Sequence, residues 1–182
     1  MINKCKNGII ELKKSTPLEN YLWLINNKAD QDYSRRFKQF FGMNRLKKNQ
    51  KERITKFILG VKKYDSFGEL VLLMDTSKYQ FSFASKIMHM ADTNLPIYDS
   101  HIANSIHWKF QNRKYKLNKC QTNKEKANEL NRLWDEFQKT WNEYTKKDSK
   151  HCCELFDKAF PRYKHLSTTK KIDFMLWANS KA

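Results

Sequence analysis

Lys86 and Asp99 are the candidate catalytic residues of this sequence. Lys86 interrupts an apolar segment, and Asp99 follows the apolar run LPIY thirteen residues later. Phe83, Ile87 and Met90 recur at helical spacing, which places Lys86 at the edge of a helix face that packs on the core. A partly desolvated lysine has its ammonium form disfavoured, so its pKa falls and the free amine becomes a nucleophile.

Asp99 stands in an N-cap-like position before SHIANSIHW, in which Ile102, Ile106 and Phe110 form the next apolar stripe. The loop DTNLPIY lets the chain reverse and carries the carboxylate toward Lys86. An amine beside a carboxylate suits attack at an acetal-like sugar carbon, because the carboxylate takes up the amine proton and stabilises positive charge on the sugar. The alternative is that Asp99 only caps a helix while the lysine reaches solvent.

The charge of the chain indicates a polyanionic partner. Lys and Arg total 36 against 19 Asp and Glu, which gives +17 over 182 residues. Such an excess costs self-repulsion, so nucleic acid is the first candidate partner and an anionic membrane surface the second. The length fits a single domain or two small lobes. We expect a monomer on DNA.

Neither a membrane segment nor a metal motif is visible. The longest apolar runs, such as LVLLM, are far short of the roughly 20 residues that a spanning helix needs. The N-terminal residues lack an apolar signal-peptide region. The four cysteines have neither a disulfide-framework nor a zinc spacing, which favours free thiols in a reducing cytoplasm. We therefore expect a cytoplasmic protein without membrane association.

Helical patterns dominate the chain, and period-2 strand patterns are lacking. Three helix starts carry capping-box residues, namely Thr16 with Glu19, Ser66 with Glu69, and Thr122 with Glu125. The third of these helices places large residues on one stripe: Leu130, Trp134, Phe137, Trp141 and Tyr144. Further patterns span about 31–42, 48–63, 81–91, 100–110, 150–160 and 168–179. The sequence therefore predicts an all-α bundle of about nine helices.

Basic residues concentrate in two stretches on either side of the Lys86–Asp99 segment. Residues 35–63 contain eleven Lys or Arg and a single acid, Glu52. Residues 109–119 contain five basic residues and no acid. One such run is usually a solvated helix face, but two around the same segment favour a nucleic-acid surface.

The segment SFASKIMHMADTNLPIYDSHI resembles the active-site core of the helix-hairpin-helix DNA glycosylase superfamily. The likeness is greatest to the shorter bacterial members of its 8-oxoguanine glycosylase branch. That family carries a G-x-G-x-K hairpin, then a helix, then an apolar-Pro-apolar-x-Asp-x-His run. The segment LPIYDSHI matches the last of these three features. The resemblance places Lys86 on the catalytic lysine, Asp99 on the catalytic aspartate and His101 on the phosphate-contacting histidine. Ser82 and Ala84 stand in place of the two hairpin glycines.

The resemblance implies a single glycosylase-like domain over residues 1–182, with the hairpin and catalytic segment at 81–110. It implies DNA contacts from Ser82, Phe83, Ala84, Ser85 and His101. The enzyme would flip a nucleotide out of duplex DNA, cleave the N-glycosidic bond through Lys86, and leave an abasic site. Strand nicking by β-elimination could follow. The excised base would be oxidised guanine, as in repair, or a modified cytosine, as in defence against phage DNA.

The chain departs from the family in three ways. The hairpin glycines are absent, the lysine-to-aspartate interval is shorter than in the better-known members, and no four-cysteine cluster follows. We therefore expect neither an iron–sulfur centre nor another cofactor or metal.

Five further residues are candidates for the base pocket. Met90 lies one helical turn after Lys86, and Trp177 lies in the C-terminal helix; either could stack on a flipped base. Asp173, one turn before Trp177, could hydrogen-bond a base edge, and His89 and Tyr98 are further candidates. For each of these residues, core packing is the alternative.

Two other function classes fit parts of the sequence. A non-catalytic nucleic-acid-binding module would keep the fold and the basic face, with salt-sensitive duplex binding that does not depend on Lys86. A hydrolytic nuclease would need a metal cluster, and the sequence offers only His151 beside Cys152 and Cys153.

Overall fold

The structure is a computed structural model that describes residues 1–15, 17–43, 46, 48–60, 65–74 and 80–180. Its α-helices are α1 (Ile2–Leu12), α2 (Pro17–Asn26), α3 (Tyr33–Phe40), α4 (Lys48–Ile58), α5 (Phe67–Leu73), α6 (Phe81–Ala91), α7 (Ser100–Ser105), α8 (Asn123–Lys146), α9 (Ser149–Ala159) and α10 (Thr168–Asn179). Short 3-10 helices span Phe110–Asn112, Lys114–Lys119 and Pro161–Tyr163. The described part has no β-strand, and nine of its helices are 7 residues or longer. The prediction of an all-α bundle of about nine helices is confirmed.

Side-chain caps start several helices where the sequence predicts them. Thr122 accepts a hydrogen bond from the Glu125 N–H at 3.1 Å, and the Glu125 carboxylate accepts one from the Thr122 N–H at 3.1 Å. This capping box satisfies N–H groups that have no partner within α8. Ser66 caps α5 in the same way by accepting from the Glu69 N–H at 3.2 Å. The predicted cap Thr16 lies outside the described residues.

Helix α8 forms one wall of the core through its predicted apolar stripe. Leu130, Trp134, Phe137 and Trp141 are all buried. Trp134 stacks on Phe67 of α5, with ring centres 4.5 Å apart. This helix therefore anchors the aromatic centre of the bundle.

Helices α1 and α10 approach each other closely at Gly8. A Cβ atom at this position would lie only 2.0 Å from the carbonyl oxygen of Met175. Gly8 thus allows the two helix backbones to meet without an intervening side chain. The contact fixes α10, which carries several residues of the cleft described below.

Helix α10 is buried on nearly every side, from Lys170 through Leu176. It packs against α1, α7 and α9. Two of its lysines are buried with acidic partners: Lys170 pairs with Asp173 at 2.6 Å, and Lys171 pairs with Asp157 of α9 at 2.7 Å. The helix is therefore internal even though its sequence includes charged residues.

The helix predicted over 100–110 is shorter than expected. Helix α7 ends at Ser105, because His107 takes a left-handed conformation with φ of 56° and the Trp108 N–H donates to the Ala103 carbonyl at 3.0 Å. Trp108 and Phe110 then turn back into the core. Similarly, α4 ends at Ile58 and not at residue 63, and Gly60 follows it with φ of 67°.

Candidate active site

A cleft of about 860 Å³ opens among α1, α2, α3, α6 and α10. Its walls include Lys86 of α6, Asp99 at the start of α7, and Asp173 and Trp177 of α10. These are four of the residues that the sequence analysis singled out. The fold brings them to one concave surface, although they lie as far as 91 positions apart in the chain.

Lys86 reaches the cleft from the middle of α6. Its ammonium group donates a hydrogen bond of 3.3 Å to the Phe41 carbonyl. It also lies over the rings of Phe83 and Phe41, at 5.2 and 5.9 Å from their centres. The amine is thus held among aromatic rings with one backbone acceptor.

The surroundings of Lys86 make its charged form less favourable than it is in water. Burial lowers the pKa of the Lys86 ammonium below its ordinary value, and the charge of Lys170 acts in the same direction. The carboxylates of Asp99 and Asp173 oppose this effect but do not cancel it. The expected desolvated lysine is therefore present.

Asp99 is the N-cap of α7, as predicted. Its Oδ1 accepts hydrogen bonds from the N–H groups of His101 and Ile102, at 2.8 and 3.0 Å. Its Oδ2 accepts no hydrogen bond from a described residue. Asp99 and Lys86, both within the described part of the chain, form no direct ion pair, so the amine is not locked as an ammonium by a carboxylate.

A hydrogen bond between neighbouring residues sets the positions of Lys86 and Asp99. The Tyr98 N–H donates to the Ser85 Oγ at 3.0 Å, and the Ser85 hydroxyl donates to the Ser82 carbonyl at 2.8 Å. Ser85 precedes Lys86, and Tyr98 precedes Asp99. Helix α6 is therefore tied directly to the segment that carries the carboxylate.

The loop between α6 and α7 is fixed at two further points. The His89 Nδ1–H donates to the Leu95 carbonyl at 2.7 Å, and the Ser167 hydroxyl donates to the Thr93 carbonyl at 2.6 Å. Burial and the charge of Lys170 lower the pKa of His89 to about 3, so its ring is neutral and its Nε2 accepts from the Tyr21 hydroxyl at 2.6 Å. This loop is rigidly supported by α2, α6 and α10.

The α10 wall carries an ion pair beside an aromatic face. Lys170 and Asp173 are joined at 2.6 Å, and both line the cleft. Burial raises the pKa of the Asp173 carboxyl, against the opposing effect of the Lys170 charge. Trp177, one turn further along, is half-buried in the same wall. Asp173 and Trp177 thus face the cleft in the arrangement that the spacing predicted.

The rim of the cleft is basic. Lys14, Arg35 and Arg36 line it, and of these Lys14 pairs with Glu11 at 2.6 Å and Arg35 with Asp32 at 2.9 Å. The Arg36 guanidinium stacks on the Trp23 ring at 4.1 Å. On the same helix, burial and the charge of Lys51 lower the pKa of Lys38. This concentration of cations beside the cleft favours an anionic ligand.

Residues 82–84, where the resemblance implies a hairpin, are helical, and DNA contacts from Ser82, Phe83, Ala84 and Ser85 stay a prediction. These residues form the first turns of α6, which begins at Phe81. The N–H groups of Phe83 and Ala84 donate to the Gln80 carbonyl, at 3.0 and 2.9 Å, so they are not available to a phosphate. The side chains of Ala84 and Ser85 are fully buried.

Three candidates for the base pocket lie outside the cleft. His89 is buried, and both of its ring nitrogens are occupied by hydrogen bonds, one with the Tyr21 hydroxyl and one with the Leu95 carbonyl. Met90 is a core residue. The Tyr98 ring packs edge-on against Phe81, and its hydroxyl accepts from the Phe110 N–H at 3.0 Å. All three side chains are packed in the core, which was the alternative to a role in the base pocket.

His101, the expected phosphate contact, is half-buried on the first turn of α7.

Sequence reasoning missed two residues of the site. Lys170 reads as an exposed lysine in the polar run STTKK, yet it is buried beside Asp173. Its position three residues before Asp173 was the available signal, because residues at this spacing lie on one helix face. Ser85 was expected to face DNA, and its hydrogen bond with Tyr98 had no signal in the sequence.

Comparisons of the chain with protein-family models, with curated proteins and with solved structures found no match. The described residues contain no group of three or more His, Cys, Asp or Glu placed to hold a metal ion. No described helix has the length and apolar character needed to cross a bilayer. A function for the cleft must be inferred from its own residues.

Proposed function

We propose that this protein is a DNA glycosylase that excises a damaged or modified base from duplex DNA. One observation carries the proposal: the desolvated amine of Lys86 and the carboxylate of Asp99 line the same cleft without neutralising each other in an ion pair. An amine of lowered pKa with a nearby base is the arrangement that covalent attack by lysine requires. The resemblance of the LPIYDSHI segment to the helix-hairpin-helix glycosylases names the sugar C1′ as the target.

The proposed reaction uses the two residues in sequence. The neutral Lys86 amine forms a bond to C1′ while the N-glycosidic bond breaks. The electron pair of the broken bond leaves with the base. Asp99 Oδ2 accepts a proton from the new C1′ ammonium and passes it to the departing base. The carboxylate also stabilises positive charge on the sugar during bond cleavage. Opening of the sugar ring then gives an imine between Lys86 and C1′.

The imine has two fates in this proposal. Hydrolysis returns the Lys86 amine and leaves an abasic site. Loss of the 3′ phosphate by β-elimination nicks the strand, which would make the enzyme bifunctional.

The rest of the cleft supports a flipped nucleotide. Arg35 and Arg36 on the rim would contact the phosphates on either side of the target. Trp177, half-buried in the cleft wall, is the aromatic candidate for contact with the flipped base. The basic rim and the aromatic interior thus suit the two parts of a nucleotide.

Base excision can be tested with a panel of duplexes. Each carries one 8-oxoguanine, uracil, 5-hydroxymethylcytosine or glucosylated 5-hydroxymethylcytosine, and alkali treatment converts abasic sites into strand breaks. We expect breaks at one of these bases with the native protein and none with Lys86→Gln or Asp99→Asn. A break at oxidised guanine would indicate repair, and a break at a modified cytosine would indicate defence against phage DNA.

Lys171→Gln is the matched control, because Lys171 is also a buried, ion-paired lysine but lies outside the cleft. It should cleave as the native protein does. Duplex binding that falls steeply with salt, without a break at any of the four bases, would instead favour the non-catalytic binding module.

A further inference from the structure

Two buried thiols meet where α1 packs against α9. Cys5 of α1 and Cys152 of α9 are both free thiols with no exposure to solvent. Their Sγ atoms lie 2.7 Å apart, although the residues are 147 positions apart in the chain. A disulfide bond has a length of about 2.05 Å, so the two sulfurs would have to approach by only about 0.7 Å to form one. The fold therefore places this pair ready for a covalent bond.

The other two cysteines are not placed in this way. Cys120 and Cys153 are half-buried, and the Cys120 thiol donates to the Lys116 carbonyl at 3.6 Å. Among the four cysteines, all of which belong to the described part of the chain, only Cys5 and Cys152 have their sulfurs in hydrogen-bond contact. The contact is thus a property of one pair.

Helices α1 and α9 both hold α10, which forms one wall of the cleft. Cys5 lies one turn before Gly8, the point at which α1 meets the Met175 carbonyl of α10. On the other side, Asp157 of α9 pairs with Lys171 of α10 at 2.7 Å. The three helices therefore surround one contact region, and the two thiols lie on the side where α1 meets α9.

We propose that Cys5 and Cys152 are an oxidation site, at which hydrogen peroxide forms an intramolecular disulfide bond that fastens α1 to α9 beside α10. One thiol, as its thiolate, attacks the peroxide and becomes a sulfenic acid, with release of water. The second sulfur attacks the sulfenic sulfur, which forms the S–S bond and releases a second water. The peroxide thus takes up two electrons from the pair, and both thiol protons end in water. This chemistry is independent of the proposed base excision.

The electrostatics of the pair indicate which sulfur reacts first. Burial raises the pKa of both thiols, so only a small fraction is thiolate at neutral pH. The hydrogen bond between them raises the pKa of Cys5 further and lowers that of Cys152. Cys152 therefore attacks the peroxide and Cys5 completes the bond. The rate of oxidation should rise with pH, as the thiolate fraction grows.

Peptide mapping tests the proposal on the full chain. The protein is treated with hydrogen peroxide at pH 7 and at pH 9, alkylated in urea, and digested with Asp-N protease without reductant. Cleavage before aspartate releases residues 1–29 and 148–156 as separate peptides, which contain Cys5 and the Cys152–Cys153 pair. We expect a disulfide that joins these two peptides, formed faster at pH 9. Cys153→Ser should keep the joined peptide, which assigns the bond to Cys152.

Thermal unfolding measures the effect of the bond on the fold. Because the disulfide closes a long loop, oxidation should raise Tm by on the order of 10 °C. Dithiothreitol should remove this rise, since it reduces the disulfide and leaves oxidised methionines as they are. Cys5→Ala and Cys152→Ala should show no rise, whereas the control Cys120→Ala should show the native rise.

The mapping of the native protein and of Cys153→Ser does not depend on whether the two alanine variants fold. Full alkylation of Cys5 and Cys152 after peroxide treatment at both pH values would overturn the proposal. A disulfide that joins two chains, or one that joins Cys5 to Cys153, would also overturn it. A joined peptide without a rise in Tm would reject the fastening of α1 to α9.

Discussion

The Tyr98 N–H donates to the Ser85 Oγ at 3.0 Å, which joins the residues immediately before Asp99 and Lys86. The Ser85 hydroxyl is fully buried and completes its bonding through the Ser82 carbonyl at 2.8 Å. A single serine thus sets the spacing between the proposed nucleophile and its carboxylate. The relative position of the amine and the carboxylate is therefore fixed without a direct contact between them.

Ser85→Ala should reduce base excision far more than it reduces stability. Loss of the hydroxyl leaves the Tyr98 N–H without a partner, at a cost of about 1–3 kcal/mol in the free energy of unfolding. The released segment shifts Asp99 relative to Lys86, and a displacement of this kind costs on the order of 100-fold in rate. Single-turnover rates and urea unfolding would measure the two effects.

Ser105→Ala is the control, because Ser105 is a buried serine of α7 with 8% exposure. Its excision rate should equal that of the native protein. Equal rates for the Ser85 and Ser105 variants would contradict a positioning role for Ser85.

Lys86→Met should remove activity while making the fold more stable at neutral pH. The native protein holds a desolvated ammonium without a direct ion pair, and methionine removes the desolvation cost in a similar volume. A gain of about 1 kcal/mol would raise Tm by about 2–4 °C for a chain of this length. Thermal unfolding of the native protein and the Lys86→Met variant at pH 7 measures this difference in Tm. A lower Tm for the methionine variant would argue that the lysine is structural.

The pH dependence of the same pair of proteins follows from the lowered pKa. The pKa of Lys86 is lower in the folded protein than in the unfolded chain, where it is about 10.4. The native protein is therefore most stable above pH 10.4, where Lys86 is neutral in both states. Its free energy of unfolding falls as the pH drops through the folded-state pKa, because the buried amine must then carry a charge. The stability advantage of Lys86→Met should therefore shrink as pH rises. The excision rate of the native protein should rise over the same range, as the amine loses its proton.

Acid should destabilise the fold through His89. Burial lowers the pKa of His89 to about 3 in the folded protein, whereas the pKa in the unfolded chain is near 6.5. The stabilisation that the neutral ring gives is therefore complete above pH 6.5 and is lost as the pH falls toward 3. The slope from this one group reaches about 1.4 kcal/mol per pH unit. Urea unfolding between pH 7 and 4 should show a flatter profile for His89→Gln than for His165→Gln, which changes an exposed residue. Parallel profiles would contradict the assignment.

Gly8→Ala should destabilise the protein strongly. The added Cβ would lie 2.0 Å from the Met175 carbonyl oxygen, so α1 and α10 would have to separate. We expect a loss of about 3 kcal/mol or more, at the upper end for overpacking. Gly60→Ala is the comparison: its Cβ meets no atom within 4 Å, and only its φ of 67° is unfavourable, at about 1–2 kcal/mol. Similar losses for the two variants in urea unfolding would contradict the close helix contact.

Local signals in the sequence were sufficient for much of the fold. Thr122 and Glu125 mark the start of α8, and the stripe from Leu130 to Trp141 identifies its buried face. Asp99 could be predicted as an N-cap, and Lys86 as lying at the edge of an apolar helix face, because both properties depend on neighbours along the chain. Such features are determined within one or two helical turns.

Features that depend on distant contacts could not be predicted. The burial of Lys170 depends on Tyr21 of α2, and the role of Ser85 depends on the return of Tyr98 to α6. Helix α10 is buried all round, so its pattern of apolar residues did not reveal which face meets the cleft. The end of α7 at Ser105 rests on a left-handed His107, a conformation that non-glycine residues rarely adopt.

Borohydride trapping is the most direct test of Lys86 as the nucleophile. The native protein is incubated with the duplex panel in sodium borohydride, which reduces an imine to a stable amine, and the adduct is mapped by peptide mass spectrometry. We expect one protein–DNA adduct, carried on Lys86, that is absent in Lys86→Gln and retained in Lys171→Gln. Base excision without an adduct, or an adduct on another lysine, would contradict Lys86 as the nucleophile.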